Sequence, residues 1–160
     1  MAILTGEELI EIAMRLEEEG EAFYNAAAKQ ATAAQIKELF EELAIQEQYH
    51  YRAFQQMGRD IVRTALSDEQ WDQFQEYTGA LLNQRIFDKP DGALSKAASV
   101  QDEREALKAA LGFEKETLQF YQGLRDVVRG ADQQTVDRIV GEEEQHIRRL
   151  SGMLSARSGN

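Results

Sequence analysis

Glu47-Gln48-Tyr49-His50 and Glu143-Glu144-Gln145-His146 contain the only two histidines of this 160-residue chain, and each histidine follows a glutamate by three positions. Residues three apart on a helix point the same way, so each pair can grip one ion. The flanks of both pairs are helical in period. Leu43, Tyr51 and Phe54 surround the first pair, and Ile139, Val140, Ile147 and Leu150 surround the second. No segment shows sustained two-residue alternation, so the reading is all-α.

Two further glutamates sit inside apolar stripes. Glu17 shares a face with Ala13, Leu16, Gly20 and Tyr24, and Glu114 with Leu107, Ala110, Leu111, Leu118 and Tyr121. A buried carboxylate is costly unless it is paired or bound to metal. The two stretches also repeat one another. Leu16-Glu17-Glu18-Glu19-Gly20-Glu21-Ala22-Phe23-Tyr24 aligns without gaps on Phe113-Glu114-Lys115-Glu116-Thr117-Leu118-Gln119-Phe120-Tyr121. Glu47 follows Glu17 by 30 residues, and Glu143 follows Glu114 by 29. Each half of the chain thus carries one lone Glu, a Tyr seven later, and one Glu-x-x-His.

The punctuation predicts four long helices, at about 5–31, 33–57, 100–129 and 133–155. Their starts are read as Thr5 with Glu8, Thr32 with Gln35, Ser99, and Asp132. Gly58 and Gly130 are read as stops. Turns near residues 31 and 131 are short, which makes antiparallel hairpins. The crossover at about 58–99 is too long for a turn. It is expected to hold a helix at about 68–87, opened by Ser67 with Gln70 and carrying Trp71, Phe74, Tyr77, Leu81 and Leu82, and then a turn at Asp88–Gly92 around the single proline. At 1.5 Å per residue, Glu17 and Glu47 lie roughly 20–25 Å from the first turn, and Glu114, Glu143 and His146 roughly 18–26 Å from the second. All six side chains can therefore meet at one level in mid-bundle.

Composition limits the chemistry. The net charge of −11 argues against nucleic acid and against anionic membranes, and suits small cations. The chain has no cysteine, which removes disulfides, thiolate catalysis and cysteine-held clusters. No apolar run approaches the roughly 20 residues that span a bilayer, and no signal peptide is legible. The expectation is a single soluble, cytoplasmic domain over residues 1–160.

A Glu from each of two helices, plus Glu-x-x-His from each of the other two, describes a di-iron or di-manganese carboxylate site. On these residues the chain resembles the rubrerythrin branch of the ferritin-like superfamily, over both hairpins. The resemblance implies a ferritin-like four-helix bundle of two antiparallel hairpins with a long helical crossover between helices two and three. It implies Glu17 and Glu114 as terminal or bridging ligands, Glu47 and Glu143 as bridges, and His50 and His146 as one nitrogen ligand per metal. Two iron ions are the expected cofactor, with manganese or zinc also compatible with these donors.

The chain departs from full-length rubrerythrins, which carry a second domain with four cysteines holding a single iron, and an extra Glu three residues after the third-helix ligand. Here that position is Thr117. The implied activity is reduction of hydrogen peroxide or dioxygen with electrons from a separate donor protein. An iron-oxidising, iron-handling protein and a non-catalytic metal-binding bundle are the alternatives. Cage-forming ferritins add a fifth helix, for which the last residues Ser155–Asn160 leave no room. Tyr24 and Tyr121 are read either as core aromatics with a hydroxyl partner or as hydrogen-bond donors to a ligand carboxylate or to bound peroxide. Tyr49 and Tyr51 are read as packing residues. Glu18, Glu19, Glu21, Glu116, Glu142 and Glu144 are read as solvated faces. A homodimer is expected, and exposed apolar residues of the middle segment are one candidate interface.

Overall fold

The computed structural model describes residues 4–58, 66–85, 97 and 99–158, with the side chains of residues 82–85 excepted. Among the described residues five helices run in order: α1 (Gly6–Gln30), α2 (Ala34–Gln56), α3 (Asp68–Arg85), α4 (Glu103–Val127) and α5 (Gly130–Ser158). None of them is long and apolar enough to cross a membrane. The Leu82 side chain, residues 86–87 of the expected crossover helix and the turn at Asp88–Gly92 lie outside the described residues.

Local chemistry explains the ends. Thr5 and Glu8 form a reciprocal capping box, with Thr5 N donating to Glu8 Oε2 at 2.6 Å and Glu8 N to Thr5 Oγ1 at 3.2 Å. Ser67 and Gln70 do the same for α3, at 3.0 and 3.2 Å. Three expected starts are corrected. The N-cap of α2 is Ala33, which has no side chain able to cap. Its donors are satisfied from across the bundle, because Glu103 Oε1 accepts from Thr32 N and Ala33 N, both at 2.7 Å. Asp102, not Ser99, caps α4, accepting from Glu105 N at 2.8 Å. α5 starts at Gly130, so Asp132 falls in its first turn, where Oδ1 accepts from Gly58 N at 3.0 Å. At the starts of α2 and α5 an acidic side chain, Glu103 or Asp132, thus ties one hairpin to the other.

The hairpins are antiparallel, as the short connections require. Contacts between them run with falling number on one side as they rise on the other. Tyr24 meets Glu114 while Tyr121 meets Glu17, and His50 meets Glu142 while Arg149 meets Glu42. Every helix of the four-helix bundle therefore runs against its neighbours. Two apolar clusters fill the interior. One gathers Leu9 to Leu16 of α1, Phe54, Phe120 to Val127 and Val136 to Val140. The other gathers Phe23 to Ala28, Ile36 to Ala44, Ala106 to Ala110 and Leu150. The gap between them, on all four helices, is the level of the six glutamates and histidines.

The crossover helix packs along the bundle. Trp71, Phe74 and Leu81 join the first cluster, and the Phe74 ring stacks on Phe120 with centroids 6.1 Å apart. Gly123 makes this possible. A Cβ there would lie 2.4 Å from Phe74 Cε2 and 2.6 Å from Cδ2, closer than any ring tolerates. Gly123→Ala gains about 1 kcal/mol of helix propensity but forces the ring off its seat, an overpacking cost of about 1–3 kcal/mol. The expected result of chemical denaturation is a net loss of stability. Phe74→Leu combined with Gly123→Ala should lose less than the sum of the two single changes, because the shortened side chain clears the new methyl.

Candidate metal centre

Glu17, Glu47, His50, Glu114, Glu143 and His146 are all buried. The fold brings all six together. Each comes from the polar gap of its own helix: α1 and α4 give one Glu apiece, and α2 and α5 give one Glu-x-x-His apiece. Their ligand atoms form two overlapping sets, each within 4.8 Å: Glu17, Glu47, His50 and Glu143 in one, and Glu47, Glu114, Glu143 and His146 in the other. Glu47 and Glu143 belong to both sets, and Glu17 and Glu114 to one each.

The histidines present the same nitrogen to the centre. His50 Nδ1 lies 3.0 Å from Glu143 Oε1 and 3.5 Å from Glu17 Oε2. His146 Nδ1 lies 3.0 Å from Glu143 Oε2, 3.3 Å from Glu114 Oε1 and 3.4 Å from Glu47 Oε1. The rings are nearly parallel, 5.6 Å apart. Glycine at position 20 leaves room for the shared carboxylate, since a Cβ there would lie 2.5 Å from Glu47 Oε2.

The tyrosines cross between the halves. Tyr24 OH donates to Glu114 Oε1, and Tyr121 OH donates to Glu17 Oε1. Burial, then the charge of the carboxylate each faces, pushes both phenols well above their usual range, so they remain donors. Tyr51 is half-buried, whereas Tyr49 is 62% exposed and lies on the surface, not in the core. Among the acids read as solvated, Glu144 lies 3.9 Å from Arg148 on its own helix, and Glu21 and Glu142 reach partners on other helices. Glu21 accepts from Gln48 Nε2, and Glu142 Oε2 lies 2.7 Å from His50 Nε2. Gln46 Oε1 meets His146 Nε2. Gln46 and Glu142 escaped the sequence reading because their contacts cross between hairpins. Their shared place, directly before the Glu of each Glu-x-x-His, is the signal that could have found them.

Electrostatics within the cluster are strained without cations. Burial, with the charges of Glu17 and Glu143, pushes the Glu47 carboxyl well above the usual range. Glu114 is raised to about 8 by burial and by Glu143, against the pull of His146. Burial alone would lower both imidazoles, but the surrounding carboxylates win. His146 rises to about 9 beside Glu114 and Glu143, and His50 rises well above its usual value, chiefly through Glu17. Glu143 would also be raised by burial, yet both histidines hold it ionised and below its usual range.

Nine buried side-chain polar atoms among the described residues have no hydrogen-bond partner, and all but Thr117 Oγ1 belong to the six clustered residues. Buried polar atoms are rarely left so, and a concentration of them demands an explanation. Both imidazole Nδ1 atoms are among them. Six carboxylate oxygens and two imidazole nitrogens turned on one another are the hard donor set that divalent iron, manganese or zinc takes up.

A family model described as Rubrerythrin matches residues 7–84. No match is found among curated protein sequences. Among solved structures, the chain is similar to a Thermotoga maritima protein assigned as ferritin-like and diiron-carboxylate. Identity is 25%, the TM-score is 0.66, and the match covers 97% of each chain. The chain has the ferritin-like fold, is similar to rubrerythrin over residues 7–84, and holds a buried glutamate–histidine cluster that fits a di-iron site.

Proposed function

We propose that the protein is a di-iron oxidoreductase that reduces hydrogen peroxide with electrons from a separate donor protein. The observation that carries this reading is the pair of ligand sets sharing Glu47 and Glu143, each with one imidazole. Glu17 and His50 would complete one position, and Glu114 and His146 the other. Two iron ions bound there supply the two electrons that, with two protons, convert one peroxide to two waters.

The chain's own residues do the rest. Four carboxylates balance two divalent charges, which makes the occupied core tolerable. Tyr24 and Tyr121 hold Glu114 and Glu17 by their hydroxyls, fixing which oxygen of each remains free. The apolar clusters above and below exclude bulk water along the bundle axis. A surface groove of about 660 Å³ between α2 and α5 is lined by Tyr49, Arg52, Arg138, Glu142 and Gln145, with His50 at its base. A small oxidant fits such an opening, and a protein donor can approach the same face.

The test is anaerobic loading with two ferrous ions per chain, followed by rapid mixing with peroxide or with air-saturated buffer. The reading expects faster oxidation by peroxide and no uptake beyond two irons per chain. Uptake of many irons with dioxygen as the better oxidant would overturn it in favour of iron handling.

A further inference from the structure

The two halves of the chain contribute matching inner ligands. Each position receives one terminal Glu backed by a tyrosine of the other half, one imidazole Nδ1, and the same two shared carboxylates. The symmetry breaks one shell further out. His50 Nε2 faces the Glu142 carboxylate at 2.7 Å, whereas His146 Nε2 faces the Gln46 side-chain oxygen. Both partners are acceptors, so both Nε2 atoms carry the proton and donate it. That fixes the tautomer and leaves each Nδ1 lone pair for a cation. The acceptors differ in charge. A carboxylate on Nε2–H draws the proton toward itself, raises electron density on Nδ1, and adds a negative charge near the ion. An amide does the first two weakly and the third not at all. Glu142 is 43% exposed, so solvent reaches its carboxylate.

We infer that Glu142 and Gln46 are positioning residues that make the two metal positions unequal, the His50 position binding its divalent ion first and more tightly. Each acts on the ion that the opposite hairpin's histidine would hold, so the difference is set across the α2–α5 interface and not within either motif. This rests on the two-ion site proposed above. Changes to partners of this kind shift metal affinity by about 10- to 100-fold, which is enough to order the filling.

Titration with Co(II) under anaerobic conditions reads both affinity and order. Calorimetry gives the stepwise constants, and the paramagnetically shifted imidazole Nε2–H resonances report which histidine is ligated. In the unaltered protein one resonance, from His50, should fill by one equivalent and the second by two. Glu142→Gln should weaken the first constant by about tenfold and make both resonances grow together. Gln46→Glu should strengthen the second constant and also remove the order. The double variant E142Q/Q46E should reverse it, an outcome that a loss of packing cannot produce. Two ions binding with both resonances rising together in the unaltered protein, or an order unchanged by E142Q, would overturn this inference and leave the two-ion site standing. Absence of any binding would overturn both.

Discussion

Metal-free protein should melt about 10–20 °C below protein loaded with two divalent ions, with the gap widening as pH rises. Each ion held at 100-fold above its Kd stabilises by about 2.7 kcal/mol. Two such ions give about 5 kcal/mol, and at this chain length each kcal/mol moves Tm by about 2–4 °C. The pH dependence follows from the cluster. Glu114 rises from 4.5 to about 8 and His146 from 6.5 to about 9 on folding without metal. A raised group stabilises the fold fully below its unfolded value, and that contribution is lost as pH climbs through the folded one. Metal-free protein should thus lose stability between about pH 4.5 and pH 9. Glu143 is shifted the other way, so its contribution is lost only on acidification, outside that window. Metal binding requires unprotonated ligands. At pH 7, Glu114 and His146, raised to about 8 and about 9, are held protonated, so loading should release at least about two protons per chain. Thermal scans at three pH values and an indicator-dye titration check this. Equal melting temperatures with and without metal, or no proton release, would contradict it.

The second large effect is a pair of substitutions with opposite signs. Glu47 and Glu143 are equally buried and both belong to the two ligand sets, but their surroundings differ. Glu47 has carboxylates as its main charged neighbours, and burial, then the charges of Glu17 and Glu143, push its own carboxyl well above the usual range. Glu143 is the counter-charge of both histidines, 3.0 Å from each Nδ1. Replacing Glu47 with Leu removes a buried acid from like neighbours, and metal-free stability should rise by about 1–4 kcal/mol, as when buried ionic groups give way to apolar ones. Replacing Glu143 with Leu strands two buried cations, and stability should fall by about 3–5 kcal/mol. Both variants should fail to bind two ions. Chemical denaturation of the metal-free variants separates the two signs. Parallel destabilisation by both would show that packing, not charge, governs the site.

Much of this site was legible in one sequence because a helix makes spacing into geometry. Glu47 with His50 and Glu143 with His146 share faces by number alone. Glu17 and Glu114 stood out because an acid in an apolar stripe has few tolerable explanations. The common depth of all six followed from two short turns. What stayed hidden was each contact made between hairpins. Thr32 and Gln35 satisfy every local rule for a cap, yet Glu103 of α4 takes that role because it can reach two backbone donors at once. Glu142 reads as a surface acid on its own helix and becomes a histidine partner only when α2 is laid beside α5. Asp132 likewise serves Gly58 on the other hairpin. Local periodicity fixes which face a residue takes, but not which partner arrives at that face.

The most direct measurement is an anomalous-diffraction structure of the protein loaded with excess Mn(II) or Fe(II) under anaerobic conditions. The account predicts two peaks about 3.5–4 Å apart, both bracketed by Glu47 and Glu143, one beside His50 and the other beside His146. A single ion, or ions confined to the acidic surface while these six side chains remain as they are, would contradict it.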